Sequence, residues 1–539
     1  MALTRRRFLR RGATGGAAVA VASTPLAALF TARRAAAQDG AYGPLVPDPA
    51  RILNLPAGFR YTVIQRRGDL MSDGVSVPGL PDGMAAFAGG PGDPPGSIVL
   101  MRNHEIRPGT EPESAFFGGA PSPAQQALMP DAAAGGGVSR VVIDGSTFEP
   151  LSSNTVLAGT FSNCAGGPSP WGWLTCEEST SVVRAAAEDP SAPEDWHGFV
   201  YLCRADAGEQ VAPERIAAYG RFNHEAVAID ATTNAAYLTE DQLDGYFYRF
   251  VPADAAQPFG AGRFQALARR GELVFDTSTM GPGDVIEVDW VDLPNATPVG
   301  DDARPGAGDE PRLRAQALEA GAATVVRGEG CWIDDSNGVV YFTATFGGEM
   351  LLGQVFRYIP ADRDDPHAGG QLECIARPED REVMFNPDNL AVAPWGEIFI
   401  VEDSLAQCRL LVLNPETGVI STLAENPNNQ AELCGVCFAP GRDDVVFMNL
   451  QREGITLAVS GPFALDAPAD PNLPPPPVGG GVPDAGPDGG AAEGEGSASG
   501  GAGCDAGGAA SVAAALGTAA IGTLAIASRR RTKEPPEDA

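Results

Sequence analysis

Asn223-His224-Glu225-Ala226-Val227-Ala228-Ile229-Asp230, then Tyr237-Leu238-Thr239-Glu240-Asp241, then Tyr246-Phe247-Tyr248-Arg249-Phe250, is the stretch that decides the fold. An apolar strand opens on an acid, a second closes on acids, and a third is aromatic. Short polar segments separate them, the signature of consecutive antiparallel strands. As a repeating unit it predicts one blade of a β-propeller.

Five further stretches fit this template. Asp82 to Phe87 leads into Ile98 to Glu105 and Val138 to Asp144. Asn163-Cys164-Ala165-Gly166-Gly167 leads into Trp173 to Glu178 and Gly198 to Cys203. Gly328 to Ile333 leads into Val339 to Thr345 and Gly353 to Tyr358. Pro387 to Val392 leads into Glu397 to Asp403 and Arg409 to Leu413. Leu433 to Phe438 leads into Val445 to Leu450 and Gly454 to Val459. Six copies predict an all-β, six-bladed β-propeller over residues 41–463.

In an antiparallel pair, the residue opening the first strand and the residue closing the second lie at the same end. With the first strand innermost, those positions ring one mouth of the central channel. They carry Glu105, Cys164, Glu177, Glu178, Glu225, Glu240, Asp241, Glu329, Asp388, Glu402 and Asp403. Any single acid here reads equally well as a solvated strand end. Recurrence at one blade position is different: so many carboxylates in one mouth repel unless neutralised, and multivalent cations are the expected neutralisers.

Composition narrows the class. The 539 residues hold 37 Lys+Arg against 69 Asp+Glu, a formal charge of −32, which argues against nucleic acid as partner. Lys533 is the only lysine. The hydrophobic content of 44% supports a large β core, and a single propeller, expected as a monomer, fits the length.

Both termini read as addresses. Thr4-Arg5-Arg6-Arg7-Phe8-Leu9-Arg10, the weakly apolar stretch 13–30 and Ala35-Ala36-Ala37 form a twin-arginine signal peptide over residues 1–37. The twin-arginine export machinery is thus an expected partner. Residues 464–503 are Pro, Gly, Ala and acids with few large apolar groups, the composition of a disordered spacer. Over residues 504–539 come Cys504, an apolar span and Arg529-Arg530-Arg531, predicting a membrane anchor with its basic end in the cytoplasm and the propeller on the cell envelope. This end resembles the C-terminal sorting tails of myxobacterial surface proteins.

Nine cysteines in so long a chain do not make a disulfide framework. Cys434-Gly435-Val436-Cys437 has redox or zinc spacing, but nothing nearby completes a site, and it reads as core. Cys176, Cys203, Cys331 and Cys374 lie within apolar strands. Cys164 opens a strand at the acidic mouth, where a thiolate selects a transition metal beside hard cations such as calcium.

Several motifs then carry a family resemblance: Asn54-Leu55-Pro56-Ala57-Gly58-Phe59, Met71-Ser72-Asp73-Gly74, Asp82-Gly83-Met84-Ala85, Arg102-Asn103-His104-Glu105, Asn163-Cys164-Ala165-Gly166-Gly167, Trp173-Leu174-Thr175-Cys176-Glu177-Glu178, Arg221-Phe222-Asn223-His224-Glu225-Ala226, Arg327-Gly328-Glu329-Gly330-Cys331 and Pro387-Asp388-Asn389. In order from Arg51 to Phe463, they resemble the PhoX-type alkaline phosphatases. The resemblance implies a six-bladed propeller exported by the twin-arginine route that hydrolyses phosphate esters, with an oxo-bridged pair of ferric ions (Fe3+) and three calcium ions (Ca2+). By the same resemblance Cys164, Glu178, Glu225, Asp241 and Glu329 correspond to metal ligands, Glu402 and Asp403 to an acidic calcium-binding pair, and Arg327 to an arginine that holds phosphate. Pairing with a neighbouring acid is the ordinary alternative for Arg327. The segment around Trp171 to Trp173 looks one residue short, which could displace Glu177 and Glu178. His104 and His224 are expected to support the site or the fold rather than act as a base.

Phosphoryl transfer needs a bound anion, an activated oxygen nucleophile and charge neutralisation, which a metal cluster can supply. Two other functions fit a six-bladed propeller: a calcium-dependent lactonase or esterase, and a non-catalytic surface propeller. A lactone site needs neither a thiolate ligand nor an anion clamp.

Overall fold

The computed structural model describes residues 41–107, 110–180, 197–298, 310–404, 407–428 and 432–464. The expected signal peptide, the spacer from residue 465 on, Cys504 and the anchor lie outside the described residues. Within them the fold is all-β and propeller-like. No helix among the described residues is long and apolar enough to cross a membrane.

Four sheets have four antiparallel strands each, and one has nine. The innermost strands are Pro81–Ala88, Asn163–Ser169, His224–Ile229, Gly328–Asp334, Pro387–Val392 and Leu433–Phe438. Each packs beside the next, and the last returns to the first, so the six close a ring. The nine-stranded sheet contains two of these inner strands, at its opposite edges, with Val285–Asp292 bridging the two halves. One sheet joins the chain ends: Arg60–Arg66 pairs with Ile455–Ser460 as its outer strand. A closed ring leaves no inner edge to template aggregation.

Burial explains why the strands read as apolar runs. Every residue of His224–Ile229 is buried, because both faces of a sheet pack against neighbouring sheets. Phe247 stacks on Phe342 with centroids 4.2 Å apart, and Phe342 on Phe356 at 5.2 Å, tying two four-stranded units together.

One local device recurs at every inner strand. In all six pairs the register shifts near the strand's start, between Pro81 and Met84, Asn163 and Gly166, His224 and Val227, Gly328 and Cys331, Pro387 and Leu390, and Cys434 and Cys437. Such a bulge bends the strand and re-aims a side chain. The carbonyl of the residue before each strand, Leu80, Ser162, Asn223, Arg327, Asn386 or Glu432, accepts the amide of a residue at the end of the second strand. Those donors are Glu105, Glu178, Asp241, Thr345, Asp403 and Gln451 in the same order, at 2.8–3.3 Å. Leu80, Ser162, Arg327 and Asn386 have left-handed φ values of 45°, 49°, 51° and 52°. The bulges also bring neighbouring inner strands into backbone contact. A Cβ on Gly83 would sit 2.6 Å from the Ala165 Cα, and one on Gly330 2.6 Å from the Leu390 amide.

Candidate metal centre

The repeat fixes which side chains meet at the mouth. Two residues beyond each entry residue stand Asp82, Cys164, Glu225, Glu329, Asp388 and Cys434, so the inner ring carries four carboxylates and two thiols. The second strands add Glu105, Glu178, Asp241 and Asp403. Four groups of donors lie with their ligand atoms within 4.8 Å of one another: Cys164, Glu178 and Glu225; Glu225, Glu329 and Asp388; Asp388, Asp403 and Glu432; and Asp82, Glu432 and Cys434. Consecutive groups share Glu225, Asp388 and Glu432, making one continuous band.

The acid pairs divide by strand alternation, since successive side chains point to opposite faces. Of Glu177-Glu178, Glu240-Asp241 and Glu402-Asp403, the second member faces the channel and the first is buried against its own partner. Glu177 meets His197 Nδ1 at 2.6 Å and accepts the Phe161, Gly198 and Phe199 amides. Glu240 accepts from Tyr248 and Arg314. Glu402 accepts two bonds from Arg409 at 2.7 Å and the Phe385 amide. Strand position puts Glu177, Glu240 and Glu402 at the mouth, and the family resemblance pairs Glu402 with Asp403 on calcium. The structure instead groups Asp403 with Asp388 and Glu432, while Glu402 points away. The short turn at Trp171 displaces nothing: Asn163 pairs with Glu177 as His224 does with Glu240 and Pro387 with Glu402.

Two arginines meet the acids. Arg327 donates Nε and Nη2 to Asp241 at 2.6 and 2.8 Å and Nη2 to Glu329 at 2.7 Å, over the Phe346 ring. Its Nη1 has no hydrogen-bond partner among the described residues. Arg107, half-exposed, donates to Glu105 and, at 2.7 Å, to Glu178. Gln451 bridges Asp82 and Glu105 at 2.9 and 3.0 Å.

This electrostatic balance is unfavourable as it stands. Burial first, then neighbouring carboxylates, pushes Asp82, Glu178, Glu225, Glu329 and Glu432 well above the usual carboxylate range, and Asp388 up to about 7. Asp241 is the exception: burial raises it, but Arg327 outweighs burial and holds it low. Burial and adjacent acids also raise the Cys164 and Cys434 thiols. Donors whose affinity for protons is raised by burial and by one another's charge fit multivalent cations, which displace those protons on binding. The all-oxygen groups suit a hard cation such as calcium, and the two thiol-containing groups suit a transition metal.

Both histidines near the ring are structural, as expected. Buried His104 bonds the Gly79 carbonyl and Ser139, and burial holds it neutral. His224 lies 3.6 Å from the Phe222 ring and is pushed down to about 3 by burial. Burial also opposes charge on His197, yet Glu177 and Asp131 carry it up to about 9.

Sequence reasoning did not place Asp82, Glu432, Cys434 or Arg107 in the site. Aligning Glu432-Leu433-Cys434 on Arg327-Gly328-Glu329 would have found two of them. Cys437, by contrast, lies in the core between sheets, and all eight described cysteines are buried and free.

The family model of alkaline phosphatase PhoX matches residues 40–155 and 149–454. No curated protein matches the chain in sequence. Among solved structures, Pseudomonas fluorescens PhoX in complex with vanadate, a transition-state analogue, is 20% identical and superposes with a TM-score of 0.57, covering 79% of this chain and 98% of that one. A gluconolactonase from Xanthomonas campestris is 11% identical, with a TM-score of 0.34 over 78% of this chain and 98% of its own.

Proposed function

Since the chain belongs to the PhoX alkaline phosphatase family, we propose that it hydrolyses phosphate esters at the acidic mouth of a six-bladed propeller, with a cluster of iron and calcium ions as cofactor. Six blades follow from counting the nine-stranded sheet as two four-stranded units joined by Val285–Asp292. The observation that carries the reading is the band of donors that the repeated bulge assembles, with Arg327 beside it.

In this reading Cys164, Glu178 and Glu225 hold a transition metal. Glu225, Glu329 and Asp388, and then Asp388, Asp403 and Glu432, hold hard cations. Bound cations supply charge neutralisation and Lewis acidity for phosphoryl transfer. Arg327 directs Nη1 at the anionic oxygens of the ester while Asp241 and Glu329 fix the guanidinium plane. Asp241 orients Arg327 rather than the substrate. Purified protein should contain iron and calcium, hydrolyse p-nitrophenyl phosphate and be inhibited by inorganic phosphate. Arg327→Ala should raise KM by roughly tenfold to a hundredfold, the range for losing a charge-assisted contact of about 1.5–3 kcal/mol. A protein that binds neither metal, or opens lactones while leaving phosphate esters intact, would overturn the assignment.

Export by the twin-arginine machinery and anchoring through residues 504–539 complete the proposal, resting on Arg5-Arg6 and on the apolar span before Arg529. Exchanging Arg5 and Arg6 for lysine should leave precursor in the cytoplasm. Mature propeller at the cell surface in that variant would exclude this route.

A further inference from the structure

The far ends of the inner strands, opposite the acids, open onto a second concavity. A cavity of about 550 Å³ is walled by Trp332, Trp395 and Phe438, with Asp334, Asp335 and Ser336 along one edge. A smaller one of about 330 Å³ shares Pro168, Trp332, Ile333 and Asp335 with it. Trp332 and Asp335 therefore border both.

The walls select a ligand class. Trp395 stands edge-on to Phe438 at 5.4 Å and is oriented by donating its indole N–H to Glu397 at 2.9 Å. The Asp334 carboxylate is engaged by Ser336 and Asn337. The Asp335 carboxylate accepts no hydrogen bond among the described residues, and burial raises its pKa. The nearest guanidinium, Arg363, donates to the Asp335 carbonyl at 2.8 Å and reaches Asp230 at 3.8 Å. Among the described residues no Arg, Lys or His lines either cavity. A saccharide needs donors as well as acceptors for its hydroxyls, and the Ser336 hydroxyl and the Trp395 indole N–H are already given to Asp334 and Glu397. An anion would meet only carboxylates. An organic cation with an apolar body would find three aromatic side chains and one carboxylate free of hydrogen bonds, the residue types that recognise quaternary ammonium groups.

We propose that this second mouth binds an organic ammonium ion between Trp332, Trp395, Phe438 and the Asp335 carboxylate. The site lies at the opposite end of the inner strands from the metal centre, and it stands whether or not the phosphatase reading does.

Choline chloride, its uncharged isostere 3,3-dimethylbutan-1-ol, and glucose should be titrated into the full chain and followed by tryptophan fluorescence and calorimetry. Choline should bind measurably and the isostere several-fold more weakly. Asp335→Asn should weaken choline by roughly three- to tenfold, the size of a partly desolvated cation–π and carboxylate contribution, and Asp335→Lys should abolish binding. Circular dichroism and the melting temperature, unchanged in both surface variants, separate lost binding from lost fold. Equal binding of the isostere, binding of glucose but not choline, or full choline affinity in Asp335→Asn would overturn the proposal.

Discussion

Cys164→Ser protein should fold with unaltered circular dichroism yet lose its iron and at least roughly a hundredfold in phosphatase activity, more than the ten- to hundredfold typical of losing an outer partner of a metal ligand. The backbone of this turn does the packing, while the Cys164 thiol is a donor: its Sγ faces the His224 carbonyl at 3.3 Å and the Glu178 and Glu225 carboxylates. Serine preserves size and polarity but is not a soft anion, so the transition metal is what should go. Cys434→Ser is the informative companion. It occupies the equivalent place in its own blade, and metal analysis of that variant shows whether the band takes a second thiolate-bound ion. Glu402→Gln gives the opposite contrast, with both metals retained but stability lowered by about 3–5 kcal/mol as Arg409 is left without its buried anion. Full iron and turnover in Cys164→Ser, or metal loss in Glu402→Gln, would refute this division of the acids.

Metal-stripped protein should be more stable at pH 5.5 than at pH 8, the reverse of the usual acid behaviour of carboxylates. The sign follows from the direction of the shifts. Asp82, Glu178, Glu225, Glu329 and Glu432 are raised by burial and mutual repulsion, and Asp388 is raised to about 7. An acid whose folded pKa is raised binds its proton more tightly when folded. Its stabilisation is complete below the unfolded value and is lost as pH rises through the folded one. Stability should therefore fall through neutrality. Calcium at pH 8 should restore it, by about 2.7 kcal/mol per site at a hundredfold excess over Kd, and should restore less at pH 5.5, where protons compete. Urea titrations at both pH values, with and without calcium, read this directly. A stripped protein that gains stability from pH 5.5 to 8 and ignores calcium would refute calcium binding by these carboxylates.

The acid pairs show where local reading stops. Glu402 and Asp403 are adjacent and alike in chemistry, and both close an apolar strand. Only the pleat, once register is set, sends one to Arg409 and the other to Asp388 and Glu432. The same holds for Cys434. Its CxxC spacing is that of a redox or zinc pair, but with nothing nearby to complete a site and alternation sending the two to opposite faces, both read as core. The bulge between Cys434 and Cys437 interrupts the ladder, so Cys434 lies with Asp82 and Glu432 while Cys437 packs between sheets.

The sequence by itself determined the strand repeat, the all-β class, the recurrence of acid at one end of each unit, and Cys164, Glu178, Glu225, Glu329 and Asp403 as candidate members of the site. These are local: period, strand length and residue type are written in consecutive positions. The tertiary structure decided the membership of Asp82, Glu432 and Cys434, the exclusion of Glu177, Glu240 and Glu402, and the pairing of Arg327 with Asp241 and Glu329. The exclusions rest on the pleat once register is set, and the memberships on the repeated bulge and on ring closure between residues as distant in sequence as Asp82 and Gln451. A bulge moves one residue out of register without changing composition, and closure brings together side chains that no local window contains.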